Sequence, residues 1–419
     1  MVQAIGVDFG TTNSIVALLQ DDGSVTVQRH GSDLQEVFRT VLCFWPEEAG
    51  GRQHLHHAAG PAAISAFLED PLDSRLIMSM KTYLAQKSFT ETRIFGRVFT
   101  LEKLIATFLR KLLDKVGPVQ RITVGRPVHF AGEFADDGFG AQRLRAACAE
   151  AGLPDVELML EPAAAGLSFV RELQEPTTVL IGDFGGGTSD FSLLRFTPEG
   201  VTPLAHAGVG IAGDVFDFRI IDRAISPLLG KDDVYRVMGK KMPIPVEYFH
   251  AFARWHQLSL MRTPRTLQAI TDIARTATHP ERLHHLITLI QDGLGYAMYQ
   301  AVSRAKAALS DSEKTVLRFV HKDFVAERTI TRVDFEDWIA ADLARLGATI
   351  DHVLEQAAMP ATAVDRIFLT GGTAYVPAVR RLFADRFGSE KIAGGGEFVS
   401  VAEGLALAGS RLPGSSPGT

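Results

Sequence analysis

Two aspartates, Asp8 and Asp183, each close an apolar run, and each is followed by Phe-Gly and then by small hydroxyl-bearing residues. The first stretch, Ile5 to Leu19, reads Ile-Gly-Val-Asp-Phe-Gly-Thr-Thr-Asn-Ser-Ile-Val-Ala-Leu-Leu. An apolar strand enters, Gly10-Thr11-Thr12-Asn13 turns, and a second apolar strand leaves, which is the pattern of a β-hairpin. Gly10 lets backbone approach a ligand closely. Thr11, Thr12, Asn13 and Ser14 add hydroxyls, an amide and consecutive N–H donors, together a small concave anion site. Asp8 ends the entering strand, where a carboxylate can hold a divalent cation through its water shell, as magnesium prefers. A phosphate cradle beside a magnesium carboxylate is the minimum apparatus for a nucleoside triphosphate.

One such turn could close an ordinary hairpin. The second copy argues otherwise: residues 182–194 read Gly-Asp-Phe-Gly-Gly-Gly-Thr-Ser-Asp-Phe-Ser-Leu-Leu. An internal repeat of this kind predicts two related halves, each offering a phosphate hairpin and a carboxylate across a cleft.

The rest of the chain must position these tips. Residues 1–35 hold the first hairpin and a third strand, Val25 to Arg29. An inserted piece follows at 36–100, with an apolar run at Val37–Trp45, a loop at Pro46–Gln53 and a helix near Ala58–Leu68. His54, His56 and His57 lack a partner cysteine or carboxylate at ligand spacing, so a solvated loop is expected there rather than a metal site. Lys81 stands alone in Ser79-Met80-Lys81-Thr82. Residues 101–116 form an amphipathic helix through Leu104, Ile105, Phe108, Leu112 and Leu113. Arg121–Val124 reads as a buried strand ending in Gly125-Arg126-Pro127, and Ala141–Ala151 as a helix stopped by Gly152. Leu158–Leu160 is a short strand, and Glu161-Pro162-Ala163-Ala164-Ala165-Gly166 starts a helix of small residues that allows close packing. Past the second hairpin, a helix follows Gly213-Asp214, residues 228–310 are mostly helical, and His284 and His285 read as ordinary packing. Ala363–Thr370 is a buried strand, and Gly371-Gly372-Thr373 turns into a helix near Pro377, a turn suited to close approach of a nucleotide. Residues 399–409 mirror the first small-residue helix, and 410–419 form a Gly/Ser/Pro tail. The repeated order predicts an α/β fold, a duplicated actin-like (ribonuclease H-like) arrangement of two lobes around a cleft.

Bulk properties narrow the classes. A chain of 419 residues suits two lobes, and 46% hydrophobic with 22% charged residues is globular. A net charge of −6 without long like-charge runs disfavours a nucleic-acid partner. Cys43 and Cys148 cannot build a disulfide framework, which fits a reducing compartment. The N-terminus enters a strand at once, without basic leader or long apolar segment, so a cytoplasmic protein with no membrane partner is expected.

Gly6-Val-Asp-Phe-Gly-Thr-Thr-Asn-Ser, Asp183-Phe-Gly-Gly-Gly-Thr-Ser-Asp, Glu161-Pro-Ala-Ala-Ala, Leu369-Thr-Gly-Gly-Thr and Ala305-Lys306-Ala-Ala-Leu309-Ser310, taken together, resemble the nucleotide-binding part of the heat-shock-protein-70 (DnaK-like) chaperones over nearly the whole chain. The resemblance implies ATP or ADP with Mg2+, held by Asp8 and Asp183 through water. It implies phosphate contacts from Gly10, Thr11, Thr12, Asn13, Gly185, Gly186, Gly187 and Thr188. Nucleoside contacts would come from Gly213, Asp214, Lys306, Ser310, Gly371, Gly372, Thr373 and Tyr375. Lys81 matches the lysine reaching the γ-phosphate, Glu161 the carboxylate orienting the attacking water, and Asp183 and Thr188 complete the catalytic set. Two positions depart from the family: Tyr375 stands where an arginine is usual, and Ser303 where a glutamate contacts ribose. No acidic linker, β-sandwich or lid follows Gly409, so no substrate-binding domain is expected, and with the helical insertion at about 222–310 the chain resembles the YegD-type branch.

The expected organisation is a first lobe over 1–176, a second over 177–409 and a flexible tail over 410–419. The expected function is slow ATP hydrolysis that closes the lobes, read by a protein partner or co-chaperone. A non-hydrolysing nucleotide sensor and a small-molecule kinase of the same fold are the alternatives.

Overall fold

The computed structural model describes residues 2–31, 35–49, 52–117, 121–131, 135–153, 155–170, 175–197, 200–253, 255–392 and 400–409. The tail at 410–419 lies outside these residues. The fold is mixed α/β with several sheets. Among the described residues, one compact unit draws on 1–210, 347–374 and 381–419, and the other on 211–346 and 375–380.

The first unit carries two main sheets. In one, Val2–Phe9 and Asn13–Gln20 pair antiparallel with Asp8 opposite Ile15 and Phe9 opposite Ser14, so the hairpin expected from the sequence is present. Arg121–Arg126 lies parallel to Val2–Phe9 on its other side, and Val156–Leu160 parallel to that. In the other sheet, Thr177–Phe184 and Ser189–Thr197 pair antiparallel, and Arg366–Thr370 runs parallel to Thr177–Phe184. Each sheet therefore places a hairpin strand between an antiparallel partner and a parallel one. Both central strands, Val2–Phe9 and Thr177–Phe184, are near-continuous apolar runs because both faces are covered.

Helices cover these faces. Leu101–Leu112 is capped by Thr100, which accepts from the Lys103 N–H at 3.2 Å, and it buries Leu104, Ile105, Phe108 and Leu112 against Phe9, Phe38 and Phe44. Glu161–Val170 and Ser400–Ala408 meet backbone to backbone. A Cβ on Gly404 would stand 1.8 Å from the Ala164 carbonyl oxygen, and one on Gly6 2.2 Å from that of Ala402. Small residues are thus required on both helices.

Two local expectations are overturned. Pro46–Gln53 is not a loop: Val41–Ala49 and Arg52–Ala59 form an antiparallel hairpin, with Pro46 opposite Leu55. Proline is tolerated because the third strand, Arg75–Met78, pairs only with residues 41–44, leaving Pro46 an open side. His54, His56 and His57 consequently lie in a strand, where His56 pairs with Glu47 at 3.0 Å and stacks on Trp45. The helix expected at Ala58–Leu68 begins later, at Pro61, after Gly60.

The second unit is helical around Phe216, Phe249, Leu286, Met298 and Phe335. It also contains two hairpins, Val234–Val237 with Lys240–Pro243 and Lys314–His321 with Phe324–Thr331. The first of these interrupts the span expected to be mostly helical. Gly239, at φ 79°, supplies its tight turn. No helix among the described residues is long and apolar enough to cross a membrane.

Candidate functional site

Both hairpin tips are built for close approach. At the first, a Cβ on Gly10 would stand 2.1 Å from the Asn13 carbonyl oxygen, so glycine is needed to close the turn. Arg39 Nη1 donates to Asn13 Oδ1 at 3.0 Å, and the Thr40 N–H donates to the Thr12 carbonyl at 2.8 Å. These bonds fix the tip and leave the Thr11 and Thr12 hydroxyls uncommitted to it. At the second tip, the Gly185 N–H donates to the Thr188 carbonyl at 2.9 Å. The two tips converge: a Cβ on Gly186 would lie 2.7 Å from Thr12 Oγ1. The residue types that could cradle phosphate are therefore assembled in one place.

Around the tips stand four carboxyls. Asp8 ends the first strand and Asp183 its counterpart, where Thr370 Oγ1 donates to Asp183 Oδ1 at 2.6 Å. Gly371, at φ 84°, lets the following turn pass against the Phe184 carbonyl. Glu161 opens its helix at the N-terminus, where the backbone field favours a carboxylate. Gly125 leaves room for it, since a Cβ there would stand 2.9 Å from Glu161 Cγ. Asp190 faces Asp183 across the second hairpin. It accepts from Thr188 Oγ1 at 3.3 Å.

Lys81 sits among these acids. It lies in the short turn Met80–Tyr83, entered through Ser79 at φ 56°, and it is 8% exposed. Its Nζ donates to Glu161 Oε1 at 2.5 Å. Behind that turn, Arg143 donates to Glu102 Oε1 at 2.5 Å and to the carbonyls of Tyr83, Gln86 and Phe89. The guanidinium thus staples the segment that carries Lys81.

The electrostatics follow from this crowding. Burial, then Glu161 and Asp183, push the Asp8 carboxyl up to about 8, although Lys81 pulls the other way. Burial, Asp183 and Glu161 push Asp190 up to about 7. Burial also raises Glu161 against the pull of Lys81. For Lys81, burial opposes the charged form, but Glu161, Asp8 and Asp183 outweigh it and hold the ammonium above its ordinary value. Among the described residues no three acids, histidines or cysteines stand close enough together to hold a metal directly, so Asp8 and Asp183 fit a hard cation such as magnesium only through its water shell.

Sequence reasoning gives no role to Asp190, Thr370, Arg143 or the histidines behind the second hairpin. His206 Nε2 stands 3.7 Å from Asp190 Oδ1, and His206 Nδ1 lies 3.0 Å from Ser192 Oγ. Burial and neighbouring His129 hold the His206 imidazole down at about 4. Asp190 is within reach of the sequence, because closing Asp183 to Asp190 as a hairpin puts the two opposite each other. Thr370 is not, being 187 residues from its partner.

Of the remaining expected nucleoside residues, Gly372 and Thr373 fall in the first unit, and Gly213, Asp214, Lys306, Ser310 and Tyr375 in the second. Lys306 Nζ binds Asp217 Oδ2 at 2.9 Å and the Gly213 carbonyl at 3.0 Å, and the Tyr299 hydroxyl donates to Asp214 Oδ1 at 3.2 Å. The Lys306 ammonium thereby joins the helices Gly213–Ile220 and Gly295–Asp311. The Ser310 carbonyl accepts from Arg332 at 3.2 Å, and Tyr375 is 43% exposed.

The "Hsp70 protein" family matches residues 73–238 and 294–417. The chain is 25% identical over 405 residues to the chaperone protein DnaK of Thermus thermophilus, covering 93% of this chain and 58% of that protein. It is 24% identical over 434 residues to the DnaK of Deinococcus radiodurans and 25% over 436 to that of Deinococcus deserti, covering 99% of this chain and 60% of each relative. The chain thus spans about three fifths of the length of these curated relatives. With the family match running through Lys81, Glu161, Asp183, Lys306 and the Gly371 turn, this chain belongs to the Hsp70 protein family.

Proposed function

We propose that this protein binds ATP with magnesium between its two hairpin tips and hydrolyses it slowly. The carrying observation is the approach of Gly186 to Thr12, with the Lys81–Glu161 pair and the carboxyls of Asp8 and Asp183 nearby. Thr11, Thr12 and the N–H groups of Gly186 and Gly187 bind phosphate oxygens, while Gly185, its N–H held by the Thr188 carbonyl, closes the turn that presents them. Asp8 and Asp183 would hold a magnesium ion through its waters, and that ion would supply positive charge to the phosphates. Lys81 swings from Glu161 toward the γ-phosphate and meets the charge that develops there. Glu161, with Thr188 nearby, orients a water whose oxygen bonds to the γ-phosphorus as the bond to the β,γ-bridging oxygen breaks, the electron pair leaving with ADP and the water's protons with the inorganic phosphate. The two related sheets act as the cores of two lobes in the actin-like manner, 1–176 and 177–409. Their closure on nucleotide is a population shift that a protein partner or co-chaperone reads. The helical insertion at about 222–310 supports a place in the YegD-type branch of the family.

One observation favours a second reading. The two groups assigned to turnover, Lys81 and Glu161, are closed on each other. A protein that keeps this pair shut with ATP bound is a nucleotide sensor. Single-turnover assays separate the two: ATP converted within minutes to hours supports the hydrolase, and bound ATP still intact after hours supports the sensor.

A further inference from the structure

A cavity of about 290 Å3 lies in the first unit, lined by none of the residues assigned above. Five segments close it: the turn at His30 and Gly31, the short strand at Phe38, the end of the strand Arg52–Ala59, the first turn of the helix Pro61–Glu69, and the C-terminal end of the helix Leu101–Leu112 with the turn beyond it. Its floor is apolar, from Phe38, Ala58, Ala59 and Ala62. Gly60 keeps Phe38 flat against the chain, since a Cβ there would meet the ring at 2.4 Å.

The walls are basic. Lys111, in the last turn of the helix Leu101–Leu112, and Lys115, in the turn beyond it, line the cavity together with His57. Among the described residues neither lysine has an ion-pair partner, and Asp114 is the acid beside them. His30 is 4% exposed, packs its ring on Phe38 at 4.7 Å, and its buried Nε2 has no hydrogen-bond partner among the described residues. Native proteins seldom leave such an atom unpartnered, and a ligand is one physical reason for it. The local field points the same way. Burial, then Lys111, Arg110 and His56, hold His57 below its ordinary value. Burial also lowers His30, with Asp114 opposing and Lys115 adding to it. Two lysines against the single carboxylate of Asp114 leave the lining net positive beside apolar side chains, which suits a small molecule with one anionic end.

We propose that this cavity binds a small organic oxyanion, a carboxylate or phosphate ester on an apolar body. Lys111 and Lys115 take the anionic end, His30 and His57 supply ring N–H groups, and Phe38 with the alanines receives the body. The volume is at the lower end for small-molecule sites, which limits the ligand to about the size of a substituted ring.

The probes are phenyl phosphate and benzoate, which share a ring and differ in the anion, with benzyl alcohol as the neutral counterpart. Ring nitrogen and carbon-bound proton signals of the full-length protein are followed by NMR, His30 and His57 being assigned with His30→Gln and His57→Gln variants. The expected result is a saturable downfield shift of both histidines with at least one anionic probe, and the stronger of the two identifies the class. The Lys111→Gln/Lys115→Gln variant should bind that probe about tenfold more weakly or worse, the loss expected for charge-assisted hydrogen bonds. Lys81→Gln should bind it unchanged, which separates this cavity from the nucleotide site. Failure of both anions to saturate, equal binding by benzyl alcohol in the unaltered protein, or undiminished affinity in the double lysine variant would each overturn the proposal.

Discussion

Lys81 and Glu161 form a buried pair, and their energetics are decided by what each leaves behind. Removing the lysine strands a carboxylate beside Asp8 and Asp183. Lys81→Ala is therefore expected to lower unfolding stability by about 3 kcal/mol, the usual result of breaking a buried pair. Adding Glu161→Gln should recover most of that loss, because the uncompensated charge is gone. Urea denaturation of the two variants checks this, and equal stability of single and double variants would contradict it. Asp8 gives the opposite expectation. Its carboxyl is pushed up to about 8 by burial and acidic neighbours, so at neutral pH the ligand-free fold works against its ionisation. Asp8→Asn should raise the melting temperature of the ligand-free protein by a few degrees while weakening magnesium-dependent nucleotide binding. The pH window follows. A raised acid destabilises the fold progressively as pH climbs from its unfolded value to its folded one. A lowered histidine such as His206 costs stability as pH falls below 6.5 toward about 4. The two trends oppose each other at acidic pH. From about pH 6.5 to about 8 the acids act without the histidine, so ligand-free stability should fall with rising pH. That slope should flatten in Asp8→Asn, as thermal melts across the window will show.

At the scale of elements, two contacts set the geometry of the site. The helices Glu161–Val170 and Ser400–Ala408 touch through backbone at Gly404 and Ala164. Gly404→Ala has no flexible side chain to displace, so it should cost about 1–3 kcal/mol or more by forcing the helices apart. Arg143 staples the segment behind Lys81 through one carboxylate and three carbonyls. Arg143→Ala leaves those acceptors without their buried donor and should destabilise by about 2–4 kcal/mol while reducing any ATP turnover. Elements of this kind are legible to different degrees. The small-residue helices stand out because alanine and glycine at a helix start have few other uses. The apolar strands stand out because both of their faces are covered. The hairpin at 41–59 reads as a loop in the sequence because Pro46, Glu47 and Glu48 look like turn residues. Yet Glu47 and His56 are partners on an exposed sheet face, where polarity carries no information about strand or loop. A Gly-Gly pair between two runs is the available signal. Arg143 gives none, since its partners lie 41 to 60 residues away and most are backbone carbonyls.

For the molecule as a whole, the repeat makes the site readable: two Asp-Phe-Gly tips far apart in the chain arrive together, and Gly186 meets Thr12. What stays hidden are the partners that only tertiary structure supplies, Thr370 on Asp183 and His206 beside Asp190. Binding to the native state alone stabilises it, so ATP with magnesium at about a hundred times its dissociation constant should add roughly 2.7 kcal/mol. The most direct test is calorimetric titration of ATP into the protein with magnesium, after chelation, and in the Asp8→Asn and Asp183→Asn variants. A site gripped by both hairpins around a shared cation predicts one ATP per chain, with affinity about tenfold or more weaker without magnesium or without either acid. No binding in any condition, or the same affinity in all four, would contradict it.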